Sequence, residues 1–478
     1  MSEERKETLI LTLTGAFVAA QLVALTLLPT LGSSSPPLDV VEGWIWAPHW
    51  LLGTYKHPPM PAWTMQALHW IVPSPILAPY LLSQLAIALT YLLVFLTGSL
   101  VLDRQRAAAG ILLMAGSFYF TVPTIEYNHN VLQMPFWAAI IFTTARLRSR
   151  PSAWSLWLLL GALAGLGLYV KYAFAMLLIV VALYSLFEKD LRAQYLTFRP
   201  YAAALICLVI FAPHLKWIVD SNFQPFTYAL QRASNVSSFW RPLGFAVAQL
   251  ADHAPILLLL AIAGVPAIRR GKPTSVGGND LWFLRLMTFG PLFLTVAVGF
   301  GMRTGLLDMW GMPMFTTAGL WLVAELQRHW PVPAIKRLAF ASIILVGAVG
   351  IALGTQPLWS HKKSRTAWPT QEIAQQAEAI WAKRVGKALM LVGGDEWWVP
   401  GLVAIGADTR PDVIIGNDLS VSPWVSPEKV KREGVLYIAR SPSARPDYCA
   451  PVGETATLSP GPGFPEFSVS ICMPEGGQ

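Results

Sequence analysis

The chain is 478 residues long, 54% hydrophobic and only 13% charged. Soluble domains carry about a quarter charged residues, so this deficit, with a mean hydropathy of +0.49, leaves too few polar groups for a water-facing surface and makes lipid the expected solvent. The net charge of +8 does not point to nucleic acid, because the Lys and Arg residues stand in short clusters between apolar runs, as cytoplasmic loops do under the positive-inside rule.

A membrane-spanning helix needs roughly 20 apolar residues. Eleven spans are expected, at about 9–30, 76–101, 107–124, 132–147, 153–170, 172–187, 201–218, 246–267, 281–301, 309–326 and 337–355. Lys171 interrupts the apolar stretch 153–187, which predicts a tight hairpin with Lys171 near its tip. The first segment has no small-residue cleavage site and reads as a retained span rather than a signal peptide.

Charge sets the orientation. Arg5-Lys6, Asp103 to Arg106, Arg146 to Arg150, Glu188 to Arg199, Arg269 to Lys272 and Arg328 to Arg337 all fall on one side of an eleven-span chain. That side is cytoplasmic, together with the N-terminus. The alternate loops, 31–75, 125–131, 219–245 and 302–308, are less basic and face outward. His361 to Arg365 is an exception on the outer side.

After about residue 357 the composition changes. Residues 370–384 read as an amphipathic helix, and Ala388 to Gly393, Asp412 to Ile415, Val435 to Ile438 and Phe467 to Cys472 read as strands. Ser459 to Pro465 is a Pro/Gly-rich loop. The expected architecture is therefore a polytopic α-helical membrane module over 1–356, with its first outer loop at 31–75, and a small α/β domain over 357–478 in the periplasm. Cys207 lies in an apolar run; Cys449 and Cys472 lie in the outer domain, where a disulfide and two unlinked thiols are both compatible with the sequence.

The first outer loop is too rich for a connector. It carries Asp39, Glu42, Trp44, Trp46, His49 and Trp50, then Tyr55-Lys56-His57-Pro58-Pro59, and Trp63. Asp39 and Glu42 are three residues apart, which puts them on one face if the segment is helical. Lys56 and His57 supply cationic or proton-transferring groups. Taken singly, the aromatics read as interfacial anchors, Lys56 as a headgroup contact and Asp39 as a helix cap.

Asp39, Trp44, Trp46, His49, Leu52-Gly53, Tyr55 and His57-Pro58-Pro59 together resemble the first periplasmic loop of GT-C glycosyltransferases. The resemblance is to the bacterial branch with lipid A aminoarabinose transferases and rhizobial core galacturonosyltransferases, itself related to the dolichyl-phosphate-mannose protein mannosyltransferases. Asn128-His129-Asn130, Gly167 to Tyr172, Pro213 to Trp217 with Phe226 and Arg232, and Arg303 with Trp310 and Pro313 extend the likeness over about 1–330. One departure stands out: Asn130 occupies a second-loop position where many relatives carry an acid, and Glu126 is out of register. Asn is no base, so a second acid would have to be Glu42 or Glu126.

The resemblance implies an inverting transfer of sugar from a polyprenyl-phosphate donor to an envelope acceptor, lipid A, lipopolysaccharide core or another glycolipid, at the outer face of the inner membrane. A base must take the acceptor's proton and a cation must stabilise the departing phosphate. Asp39, with Glu42, is the candidate catalytic acid pair. Lys56, Lys171 and Arg303 are candidates for the donor phosphate, and Tyr55, His57, Asn128 and Asn130 for the substrate cavity. His214, Lys216 and Asp308 are weaker candidates. No His/Cys/Asp cluster has closed metal-site spacing; a divalent cation at Asp39 stays open, since some GT-C relatives use one. A protein O-glycosyltransferase would share this chemistry and differ in acceptor. A transporter or lipid flippase would account for the spans but not the loop, and the two-fold pattern of broken helices that transporters show is absent from the sequence.

Overall fold

The computed structural model describes residues 2–233, 240–264, 273–303, 305–360, 363–441 and 456–475. The expected basic cluster Arg269 to Lys272, His361 and Cys449 lie outside the described residues, as does the side chain of Arg232. The chain divides into two compact units. One comprises Met1–Leu28, Tyr55–Pro61 and Tyr80–Ala352; the other comprises Pro29–Thr54, Ala62–Pro79 and Leu353–Gln478. The outer-loop segments 29–54 and 62–79 thus group with the C-terminal region.

The first unit is helical. Each of the eleven expected segments contains helix, but they differ in length and continuity. Among the described residues six helices are long and apolar enough to cross a membrane, or up to eight if each of two bent pairs is one span. The six are Glu3–Gly32, Leu77–Val101, Arg199–Asp220, Arg241–Ala263, Gly278–Met302 and Val332–Gly354. The segment expected at 107–124 is not one straight helix: Arg104–Gly116 and Phe118–Ile125 meet at 96°. Ser117 is extended there (φ −84°, ψ 127°), and Pro123 follows. The segment at 309–326 is helical only at Asp308–Gly311 and Ala318–Leu326.

A bend frees backbone carbonyls that lipid cannot satisfy. Buried amides and hydroxyls from neighbouring helices meet them here. Gln21 Nε2 donates to Phe120 O at 2.6 Å, and Tyr91 OH donates to Gln21 Oε1 at 3.0 Å. Gln84 Nε2 donates to Thr124 O at 3.1 Å, and the Ser83 hydroxyl donates to the same carbonyl. These bonds fix the segment that runs into Asn128. Trp154–Val170 packs along Arg199–Asp220 so closely that a Cβ on Gly161 would overlap the Ala203 backbone. Small residues permit that approach where no hydrophobic effect drives helices together.

The second unit holds a five-stranded sheet in the order β2-β1-β3-β5-β4. Its strands are β1 Leu391–Gly394, β2 Asp412–Ile414, β3 Val435–Ala439, β4 Ala456–Leu458 and β5 Phe467–Cys472. β1 pairs parallel with β2 and β3, whereas β5 pairs antiparallel with β3 and β4. Leu391, Ile414, Val425, Val430, Val435 and Cys472 form a buried apolar cluster under it. β1 and β3 are buried along their length, as strands covered on both faces must be, while β2 is buried except at Asp412. Helix Thr370–Val385 matches the amphipathic pattern at 370–384. Helix Trp398–Gly406 connects β1 to β2, and Gly401 lets it lie against the outer-loop helix Leu38–Trp46: a Cβ there would come within 2.6 Å of Val41 Cγ1. Cys472 is disulfide-bonded and Cys207 is free.

Candidate functional site

The acids lie in the second unit, on helix Leu38–Trp46. Pro37 precedes the helix and fixes its entry. Asp39 is in its first turn, where the helix dipole favours an anion, and is half-buried. Glu42 is 6% exposed. Three residues of helix separate them by about 4.5 Å of rise, so the pair expected from the sequence does share a face. Trp44, Ile45 and Trp46 are buried, and Trp44 Nε1 donates to Pro75 O at 2.9 Å. Trp63 Nε1 donates to Leu51 O at 2.9 Å. These two indoles tie the loop to itself.

The cations lie in the first unit. Lys171 is the break between helix Trp154–Val170 and the turn Tyr172–Phe174, and it is extended (φ −163°, ψ 140°). Its ammonium donates to Asn130 Oδ1 at 2.5 Å and stands 5.9 Å from the Trp310 ring centroid. Asn130 is buried. Asn128 caps helix His129–Ser149, accepting from Asn130 N at 2.9 Å and Val131 N at 3.3 Å. Capping presents His129 and Asn130 at the head of that helix. His129 Nε2 donates to Pro58 O at 3.1 Å, and its ring lies 4.2 Å from the His57 ring. Lys56 directly precedes His57, and Lys171 bonds Asn130, the residue after His129. Lys56 Nζ sits 5.3 Å from the Tyr55 centroid and 5.5 Å from that of Tyr228, contacts that hold an ammonium over aromatic faces. Lys56, His57, Asn130 and Lys171 are therefore brought together around His129.

Other candidates take different places. Arg303 is exposed in a left-handed C-cap (φ 52°) and is not among the contacts of that cluster. Lys216 pairs with Asp220 at 2.6 Å on an exposed helix face. His214 is fully buried and shares a 2.9 Å hydrogen bond with Tyr172 OH, which in turn stacks on Phe226. Asp308 accepts from Tyr119 OH at 2.7 Å and Gln249 Nε2 at 2.9 Å. Glu126 is half-buried at the end of the bent segment. Among the described residues, no group of three or more His, Cys, Asp or Glu is placed to hold a metal ion.

Tyr228 and Arg410 join the candidates through contacts that only the fold creates. Tyr228 falls in the expected outer loop 219–245, between Phe226 and Arg232. Arg410 belongs to the C-terminal domain, yet its Nη1 donates to His69 Nε2 at 2.6 Å. Burial, and then the Arg410 charge, hold the His69 pKa below its ordinary value. Burial likewise lowers the His49 pKa, with Asp412 opposing and Lys429 reinforcing the shift.

The family of dolichyl-phosphate-mannose-protein mannosyltransferases matches residues 56–217. The lipopolysaccharide core galacturonosyltransferase RgtB of Rhizobium johnstonii is 26% identical over 448 residues, 88% of this chain and 86% of that protein. The corresponding RgtA of the same organism is 25% identical over 391 residues, 76% of each chain. ArnT from Cupriavidus metallidurans, solved bound to undecaprenyl phosphate, superposes with a TM-score of 0.62 at 13% identity, covering 96% of this chain and 98% of that one. Its apo structure gives 0.59 at 13% identity, over 96% and 97% of the two chains. Fold and spans define a multi-pass helical membrane protein with a small C-terminal sheet. In fold and in sequence the chain is similar to glycosyltransferases of the GT-C type.

Proposed function

We propose that the protein transfers a sugar from a polyprenyl-phosphate donor to the lipopolysaccharide core at the periplasmic face of the inner membrane, with inversion at the anomeric carbon. The names of the two curated relatives favour a uronic sugar, galacturonic acid, and a core acceptor. The observation that carries the reading is the gathering of Lys56, Lys171, His57 and Asn130 around His129. A leaving polyprenyl phosphate needs such a cationic pocket next to lipid, where its developing charge would otherwise be unsolvated. Arg303, at a predicted outer helix end, would add to it.

Asp39 is assigned the base. It takes the proton of an acceptor hydroxyl; the oxygen attacks the anomeric carbon as the bond from that carbon to the phosphate oxygen breaks, and the phosphate leaves on the opposite face of the sugar. Glu42, on the same helix face, supports it. In this reading the N-terminus is cytoplasmic, and the domain from residue 357 onward is periplasmic; the disulfide state of Cys472 fits an oxidising compartment.

The test is transfer by the purified protein in vesicles, with polyprenyl-phosphate-linked galacturonic acid and core lipopolysaccharide. The acceptor should gain the mass of one sugar. Asp39→Asn should lower the rate by about 10²–10⁴-fold, the scale of general base catalysis. An acceptor of unchanged mass overturns the assigned substrates, and a wild-type rate in Asp39→Asn overturns the assigned base.

A further inference from the structure

The second unit carries a half-open cavity of about 250 Å³, with Arg410 at its exposed edge, that plays no part in the assigned chemistry. The outer loop supplies Trp44 and His49, the following helix supplies Gln66 and His69, and the C-terminal domain supplies Arg410 and Asp412. The walls are held by paired groups. Trp44 meets the His69 ring edge-on at 5.0 Å. His49 stacks on Trp424 at 4.8 Å and 8°, and its Nε2 is 3.4 Å from Asp412 Oδ1. Lys429 pairs with the other oxygen of Asp412. Arg410 is held in the left-handed region at φ 46°, an uncommon conformation for a non-glycine residue that is worth reading as a functional hint.

These features describe the ligand. Its volume lies below the roughly 300–1,000 Å³ of pockets for drug-sized molecules, so one small ring fits and a lipid tail does not. A guanidinium at the wall recognises carboxylate or phosphate through its fork of donors. His69 accepts from that guanidinium and therefore keeps its proton on Nδ1. The indole of Trp44 offers an apolar surface, while Gln66 and Asp412 offer amide and carboxylate groups for hydroxyls. Apolar wall, few polar groups and one cation together suit an anionic sugar.

We propose that this cavity is a saccharide subsite that holds one anionic sugar residue of the acceptor glycan, with its carboxylate or phosphate on Arg410 and its ring against Trp44. The proposal rests on the reading of the protein as a transferase acting on a charged glycan. Asp39 and Trp44 are five residues apart on one helix, about 7.5 Å along its axis and roughly 140° around it. The cavity and Asp39 thus lie on different sides of one helix, so the residue held in the cavity is a non-reacting residue of the glycan and sets which glycan is accepted.

The test measures binding of core oligosaccharide, freed of lipid, to the full-length protein in nanodiscs by calorimetry. The oligosaccharide is used intact, carboxyl-reduced and dephosphorylated. Arg410→Gln should weaken binding of the intact form about 10- to 100-fold, the loss expected for one hydrogen bond to a charged group. Removing the correct anion from the ligand should weaken wild-type binding equally and Arg410→Gln binding no further, which tells carboxylate from phosphate. Ala404→Trp, which fills the cavity and leaves Arg410 in place, should abolish binding. In transfer assays the loss should fall on the acceptor KM and not on the donor KM. If both variants melt like wild type and bind the intact oligosaccharide as wild type does, the subsite is refuted while the transferase reading stands. If the binding cycle holds and no transfer occurs, the subsite stands and the transferase reading falls. An oligosaccharide that wild type does not bind at all refutes the subsite.

Discussion

Lys171→Gln separates a charge from a hydrogen bond. The Lys171 ammonium, half-buried at the break after Val170, donates to Asn130 Oδ1 at 2.5 Å. A glutamine amide can still donate to that oxygen but carries no charge. At 4 Å and an effective dielectric of 20, an ammonium and a phosphate attract by about 4 kcal/mol. After desolvation, hydrogen bonds to charged groups contribute about 1.5–3 kcal/mol. Lys171→Gln should therefore raise the donor KM, or the inhibition constant of polyprenyl phosphate, about 10- to 100-fold with little change in melting temperature. Lys171→Met should add a folding defect of about 1–3 kcal/mol, because it takes from buried Asn130 the donor that Lys171 supplies. Steady-state transfer kinetics beside melting curves in detergent read both effects. A Lys171→Gln protein with wild-type donor KM and kcat would refute the assignment of Lys171 to the phosphate.

Three further predictions concern stability. Gly434 has φ 71° and ψ 176°, and a Cβ there would stand 2.5 Å from Cys472 O. Gly434→Ala should cost about 1–3 kcal/mol or more, read as a lower melting temperature with the helical circular dichroism retained; an unshifted melt would refute it. Gly161→Val should lower the yield of folded protein from membranes by forcing Trp154–Val170 away from Ala203, whereas wild-type yield and melting would show that the helices can yield there. His49 and His69 both have folded pKa values below the ordinary value near 6.5. Above about pH 6.5 both rings are neutral folded and unfolded, and their contribution is complete. Below it the unfolded chain takes protons that the folded one resists, so stability falls on acidification. Melting temperatures from pH 8 to 5 should drop, and His69→Gln should drop less steeply; parallel curves would refute the role of His69.

The apolar helices and four of the five strands were legible because burial leaves a continuous apolar signature, in lipid and in a sheet alike, although six to eight of the described helices, not eleven, are long and apolar enough to span. The bend at Ser117 was not, since Phe118–Ile125 is as apolar as the helix before it. What decides the bend is a set of partners far along the chain, Gln21, Ser83 and Gln84. The first outer loop gave up its acids and cations because charge beside lipid is rare and costly. It concealed that Asp39 and Lys56 fall into different compact units, and that Arg410, some 340 positions beyond His69, shares a cavity wall with it. β4 was missed because Ala456–Leu458 lacks the apolar run, Val413 to Ile415, that marks the equally short β2.

Asn130 stands where the family resemblance led to the expectation of an acid, and its contact gives the amide a physical meaning. A neutral amide orients Lys171 without cancelling its charge at that contact. A carboxylate there would form a part-buried ion pair and compete with the donor phosphate for the same ammonium. Asn130→Asp should therefore raise the donor KM about 10-fold or more, given the 1.5–3 kcal/mol that charge-assisted hydrogen bonds contribute. If the position were instead an empty seat for a second catalytic acid, Asn130→Asp would raise kcat, or restore activity to a Glu42→Gln protein. Kinetics of Asn130→Asp in wild-type and Glu42→Gln backgrounds separate the two. A higher donor KM in both backgrounds, with no rescue, makes Asn130 a positioning residue for Lys171 and leaves the acid chemistry to Asp39 and Glu42.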